Sequence, residues 1–132
     1  MHSIVIKPGF SDTDALGHIN NTRIPAWFEN GREPFFKLFT PDLDINNWRL
    51  IVARITVDFH RQLYMTDEVE IRSAIQKIGN SSFVVHHEAW QKGACAASGE
   101  AVMIHFDYAA QQSKPIPDDI RAELEKHIIR EA

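Results

Sequence analysis

The stretch FSDTDALGHINNTRIPAWFENGR, residues 10–32, decides how this chain is read. Its first half, 10–21, is rich in Asp, Asn and Gly, residues that hydrogen-bond their own backbone and favour turns over regular structure. Over 22–39 the apolar residues Ile24, Trp27, Phe28, Phe35, Leu38 and Phe39 recur at the spacing of one helix face. Pro25 falls in the first turn, where a missing N–H is tolerated. Gly31, on the same face, lets a neighbouring backbone or ligand come close. Pro34 predicts a kink or a break, because a mid-helix proline removes a hydrogen bond at a cost of about 3 kcal/mol. A structured loop therefore runs straight into a long apolar helix.

Outward from this segment the pattern changes. A short strand is expected over 3–7, ended by Pro8 and Gly9. After a loop at 40–48 the period becomes two, with Ile51, Ala53, Ile55, Val57 and Phe59 pointing one way and Arg54, Thr56, Asp58 and His60 the other. Further strands are expected over 67–78, 82–91 and 94–106, the last two joined by the hairpin signal Lys92-Gly93. In the last strand Cys95, Ala97, Gly99 and Ala101 make one face small enough for a helix to lie close. An amphipathic helix is expected over 117–130, with Ile120, Leu124, Ile128 and Ile129 apolar. Strands segregated from helices give an α+β class, one antiparallel sheet packed on the helix over 22–39. A single terminal helix does not cover the other sheet face, so subunit association is expected.

The 132 residues suit one domain, 1–132, with 44% hydrophobic and 24% charged residues, as in ordinary soluble proteins. A net charge of −4 argues against a general nucleic-acid binder but leaves room for local cations facing a polyanionic small ligand. The single Cys95 offers neither a disulfide nor a zinc cluster. The opening MHSIVIKPGF does not read as a signal peptide, and no run approaches the roughly 20 apolar residues of a membrane span, so a cytoplasmic location is expected. No metal, no phosphate loop, no dinucleotide fingerprint and no serine-hydrolase elbow is expected.

The chemistry is concentrated in Asp12, Asp14, Gly17, His18, Asn20 and Asn21. They put carboxylates, a glycine turn, an imidazole and two amides just before a helix N-terminus, whose free N–H groups favour negative charge. Backbone donors there can hold the oxyanion that develops on an attacked carbonyl. A nearby carboxylate can attack that carbonyl or activate a water.

These residues, with Glu29 and Arg32 on the helix and the turn Gly79-Asn80-Ser81-Ser82, resemble the 4-hydroxybenzoyl-CoA thioesterase-like branch of the hotdog superfamily. The resemblance covers residues 3 to about 108. It implies a hotdog fold, in which the antiparallel sheet wraps around the long central helix, and hydrolysis of an acyl-CoA without a cofactor. Carried over residue by residue, it makes Asp14 the nucleophile or general base and the backbone N–H of Asn21 the oxyanion donor. His18, Asn20 and the Asn21 side chain then shape the loop or contact the thioester. It also implies a homodimer or homotetramer, with the CoA arm crossing onto the partner subunit. Arg61 and the Ser81-Ser82 turn are candidate contacts for that arm, and Trp27, Phe28 and Phe59, with Ile24, are candidate walls for the acyl group.

Each residue also has a plainer reading. Asp14 can simply cap its turn, Asp12 suits a turn or capping role, and Glu29 with Arg32 at i,i+3 is an ordinary ion pair, Glu29 being the second-choice catalyst. His18 reads better as a loop hydrogen-bonder than as a base. An acyl-carrier-protein thioester, or acyl-CoA binding without turnover, fits the same residues as acyl-CoA hydrolysis.

Overall fold

The computed structural model describes residues 1–129. In chain order the elements are β1 (His2–Ile6), α1 (Arg23–Phe39), β2 (Leu50–Phe59), β3 (Val69–Ile78), β4 (Ser82–Gln91), β5 (Ala94–Asp107), the short β6 (Gln112–Ser113) and α2 (Asp118–Glu125). Every pairing between these strands is antiparallel and the main path runs β1-β3-β4-β5-β2, with β6 on β5. The curled antiparallel sheet with two helices is consistent with the expected hotdog fold.

One face of the sheet is occupied by α1, which touches β1, β2, β3 and β4. Its apolar stripe feeds two clusters. Ile24, Trp27 and Phe28 pack with Ile19, Leu63, Val69, Ile71, Ala89, Ala96 and Ala97 at the helix start. Phe35 and Phe39 pack with Leu50, Ile75, Phe83, Val85, Ala101, Met103 and Leu124 toward its end. The small face of β5 does let the helix sit close: a Cβ on Gly99 would lie 3.3 Å from Phe28 Cε2 and would overlap the Thr56 carbonyl. Gly31 plays the matching part on α1, where a Cβ would stand 2.5 Å from Ser73 Oγ.

Four expectations need correction. Pro34 does not break the helix, which runs through to Phe39; Asn30, whose carbonyl it leaves without an intrahelical donor, is an exposed residue. On β2 a bulge between Val52 and Arg54 leaves Ala53 outside the ladder. Residues directly opposite one another share a face. Val52, Ile55, Val57 and Phe59 thus share the α1 side with Met103, Ala101, Gly99 and Ala97, while Ile51 turns with Ile104 to the other. A register shift near Ala96 likewise pairs Cys95 with Trp90, taking it off the small face. Finally, α2 stops at Glu125. Beyond it His127 O accepts from Ile75 N and Ile129 N donates to Ile75 O, each at 2.8 Å, so the chain satisfies the edge of β3 past the end of its pairing with β1. Ile128 accordingly makes a bridge instead of extending a helical stripe, and Arg130 lies outside the described residues.

Beneath α1 lies a buried polar cluster. Arg32, 6% exposed, directs Nη1 to His87 Nε2 at 3.3 Å, and His87 Nδ1 meets Ser73 Oγ at 2.7 Å. A guanidinium only donates, so His87 Nε2 accepts, and the ring proton sits on Nδ1 and is donated to Ser73. Burial, reinforced by the Arg32 charge, lowers the His87 pKa to about 3, so the ring is neutral. Burial also lowers the Arg32 pKa, against the opposing pull of Glu29, whose Oε2 is 4.0 Å from Nη2 in the i,i+3 pair that the spacing predicts.

Candidate active site

The loop before α1 is built by its own side chains. Asp12 Oδ2 accepts the Gly9 N–H at 2.9 Å, and Oδ1 pairs with Arg23 Nε at 3.1 Å, tying the loop to the first turn of the helix. That is the turn-and-cap role. Asp14 Oδ1 accepts from Leu16 N at 2.8 Å and His18 N at 3.2 Å, around a turn in which Gly17 takes φ of +82°. The plainer reading of Asp14 is therefore present in the geometry. Its carboxylate is at the surface, with Oδ2 receiving no hydrogen bond from the described residues.

From Ile19 to Arg23 the backbone donors are taken in turn, with one exception. Ile19 N donates to Leu63 O at 2.8 Å, Asn20 N to Asp12 O at 2.7 Å, Thr22 N to Asn20 Oδ1 at 2.9 Å and Arg23 N to Asn20 O at 3.0 Å. Among the described residues the Asn21 N–H finds no acceptor. Thr22, at the N-cap position, already has helical dihedrals and makes no side-chain cap of its own, so Asn20 caps the helix start from two residues upstream. That divides the labour: the Asn20 side chain holds the turn and the Asn21 amide is left without a partner among the described residues.

Asn21 lines a cavity of about 450 Å³. Ile19, Ile24, Leu63 and Ala97 make its apolar wall, while Phe59 at the end of β2 and His60, Arg61 and Gln62 after it complete the lining. Asn21, Ile24, Phe59 and Arg61 thus border one cavity of the single chain. Trp27 and Phe28 are not at this surface: both are buried in the cluster behind Ile24, Phe28 stacked on His87 with ring centres 4.9 Å apart. His18 sits beside the site, its ring edge-on to Tyr64 at 5.3 Å. Asp14 lines none of the cavities described for the single chain. Ser82 is opposite Ile104 on β5, seven residues from Ala97, so the Ser81-Ser82 turn stands about 23 Å along the sheet at roughly 3.3 Å per residue.

With this geometry in view, comparison with known proteins is decisive on one point. Residues 8–124 match the family of the Thioesterase-like superfamily. The chain belongs to that superfamily. A predicted thioesterase from Bacillus stearothermophilus superposes with a TM-score of 0.94 at 42% identity, covering 98% of each chain. A thioesterase from Thermus thermophilus, solved with coenzyme A and Zn, gives a TM-score of 0.82 at 29% identity over 92% of this chain and 95% of the other. The uncharacterized protein YsmA of Bacillus subtilis is 31% identical over 78 residues, 59% of this chain. The match spans about half the length of that curated relative, 53%.

Within this superfamily member the motif loop was legible, but half of the cavity was not. Gln62 and Leu63 belong to a segment with no periodicity and no motif, and His60 was read only as the polar end of the β2 alternation. They reach the site because Leu63 O holds Ile19 N and Tyr64 bridges His18. Among the described residues no three His, Cys, Asp or Glu side chains converge as a metal site, and no helix is long and apolar enough to cross a membrane.

Proposed function

We propose that this chain, read as one domain over 1–132, is an acyl-CoA thioesterase of the 4-hydroxybenzoyl-CoA thioesterase-like kind. The observation that carries the proposal is the unpartnered N–H of Asn21, a residue that lines the cavity at the start of α1 and belongs to the same loop as the Asp14 carboxylate. In this reading the thioester carbonyl docks on the Asn21 amide. As a tetrahedral centre forms, charge builds on that oxygen and the amide, already aimed, stabilises it without reorganising. Asp14 either attacks the carbonyl, giving a mixed anhydride that water then cleaves, or takes a proton from the attacking water. Both routes release the acid and the CoA thiol.

The reading requires a second copy of the chain. The sheet ends on β1 at one side and β2 at the other, each with no further strand paired to it among the described residues, and of the two β2 is the longer. Val52, Ile55 and Phe59, on the α1 side of that strand, remain 50%, 52% and 53% exposed. An unpaired strand with an apolar flank supports pairing of two copies through β2. Such a partner adds walls next to Phe59 and Arg61, and the reading requires that the same partner cover the Asp14 carboxylate.

A second reading, binding of acyl-CoA without turnover, is favoured by one observation: in the single chain Asp14 caps its turn and lines no cavity. A panel of acyl-CoAs assayed for thiol release separates the two. Release above the uncatalysed rate for at least one ester supports hydrolysis; tight binding by calorimetry with no release supports the binding module.

A further inference from the structure

The candidate cavity does not end at Arg61. Arg61 and Gln62 also border a second cavity, of about 430 Å³, which leads past Tyr64 to Asp67 and the hairpin residue Lys92. Its wall is held in place from behind. The Gln91 side chain donates to Tyr64 O at 2.7 Å and Asp67 O at 3.0 Å and accepts the Tyr64 N–H at 3.0 Å, so the 64–67 segment is fixed before any ligand arrives.

Three charges line the space: Arg61, Lys92 and Asp67. Lys92 Nζ is 3.2 Å from Asp67 Oδ2, while Arg61 has no carboxylate within ion-pair reach among the described residues. A chain whose formal charge is −4 thus presents a locally positive space beside its thioester cavity. Thioester carriers present an anionic group at a distance from the sulfur: the phosphate of a phosphopantetheine arm. We propose that this second cavity binds that phosphate, through Arg61 and Lys92 of the same chain that supplies the Asn21 amide. The proposal rests on the thioesterase reading and names the part of the substrate that the reading leaves unassigned. It differs from an arm that crosses to a partner's serine turn. Within one chain the two cationic residues adjoin the cavity, and Ser81 and Ser82 are at the far end of the sheet.

The test compares one acyl group on CoA, on acyl carrier protein and on pantetheine, which has no phosphate, for the wild type, Lys92→Gln and Arg61→Gln. Loss of one charge-assisted phosphate contact at a partly exposed site is expected to lower the preference for the phosphorylated carrier over the pantetheine ester about fivefold. A loss confined to CoA puts the contact on its nucleotide phosphates and overturns the assignment to the pantetheine phosphate. A loss shared with the carrier protein assigns it to the pantetheine phosphate that both carry. Equal effects on all three esters, or none on either phosphorylated carrier, overturn the proposal, as does a larger loss from Ser81→Ala or Ser82→Ala. Calorimetry with free CoA separates this from hydrolysis itself. Binding that weakens about fivefold in Lys92→Gln supports the site even if no ester turns over. Unchanged binding refutes it.

Discussion

Asn20 Oδ1 accepts both the Thr22 backbone N–H, at 2.9 Å, and the Thr22 hydroxyl, at 2.8 Å. The bond fixes the turn in which the Asn21 amide is left without a partner. Asn20→Ala is expected to cost about 1 kcal/mol of stability, the usual worth of a helix-start cap. It should also lower kcat by more than it raises KM, because the misaimed amide matters most when charge develops. Asn20→Asp keeps an acceptor in place and should restore much of both. An alanine variant with wild-type denaturation midpoint and kcat contradicts this assignment.

Acid sensitivity follows from His87, fully buried beside Arg32. Its folded pKa is depressed to about 3 from 6.5, chiefly by burial. Below pH 6.5 the unfolded chain takes up a proton that the folded chain refuses. Stability is therefore lost as pH falls from about 6.5 toward 3, by about 1.4 kcal/mol per pH unit from this ring. Between pH 6.5 and pH 5 urea denaturation should show a loss of roughly 2 kcal/mol. His87→Gln should show a shallower slope over that interval; an unchanged slope removes His87 as the cause.

Gly31 faces Ser73 Oγ and Ile71 Cγ2, at 2.5 Å and 3.1 Å from where a Cβ would sit, and Ser73 is held by His87. Gly31→Ala should lower stability by about 1–3 kcal/mol through overpacking, despite alanine's better helix propensity. A higher melting temperature for the variant would show that the helix can lift from β3 at no cost.

The parts of the fold that rest on periodicity were open to sequence reasoning: the α1 stripe, the strands and the small face of β5 against Phe28. The errors share a cause. Ile51 and Cys95 changed faces through one-residue bulges, which depend on pairing with a strand distant in sequence. Ile128 left its helical pattern because the free edge of Ile75, more than fifty positions earlier, competes for its backbone. Pro34 was tolerated because its missing bond falls at an exposed residue of α1. At the site, the Asp12–Asn21 loop was visible through its residue types. Which amide stays free depends on where Leu63, Asp12 and Asn20 place their oxygens, and no motif encodes that.

Charging the apolar strip on β2 should separate subunits. Ile55→Lys puts an ammonium group on a side chain that is half exposed in the single chain and covered in a β2-paired dimer. Light scattering should report a monomer with unchanged circular dichroism, and thiol release should fall about a hundredfold or more, as for loss of a preformed site. A monomeric variant with full activity shows that one chain suffices.

Asp14→Asn bears most directly on the mechanism. Asparagine keeps an oxygen that can accept the Leu16 and His18 N–H groups, so the turn persists while the charge is gone. The measurement is kcat on the best acyl-CoA of the panel, with the melting temperature as control. A fall of about a hundredfold or more is expected at an unchanged melting temperature, as for loss of a nucleophile or general base. Wild-type kcat in a correctly folded Asp14→Asn protein contradicts it.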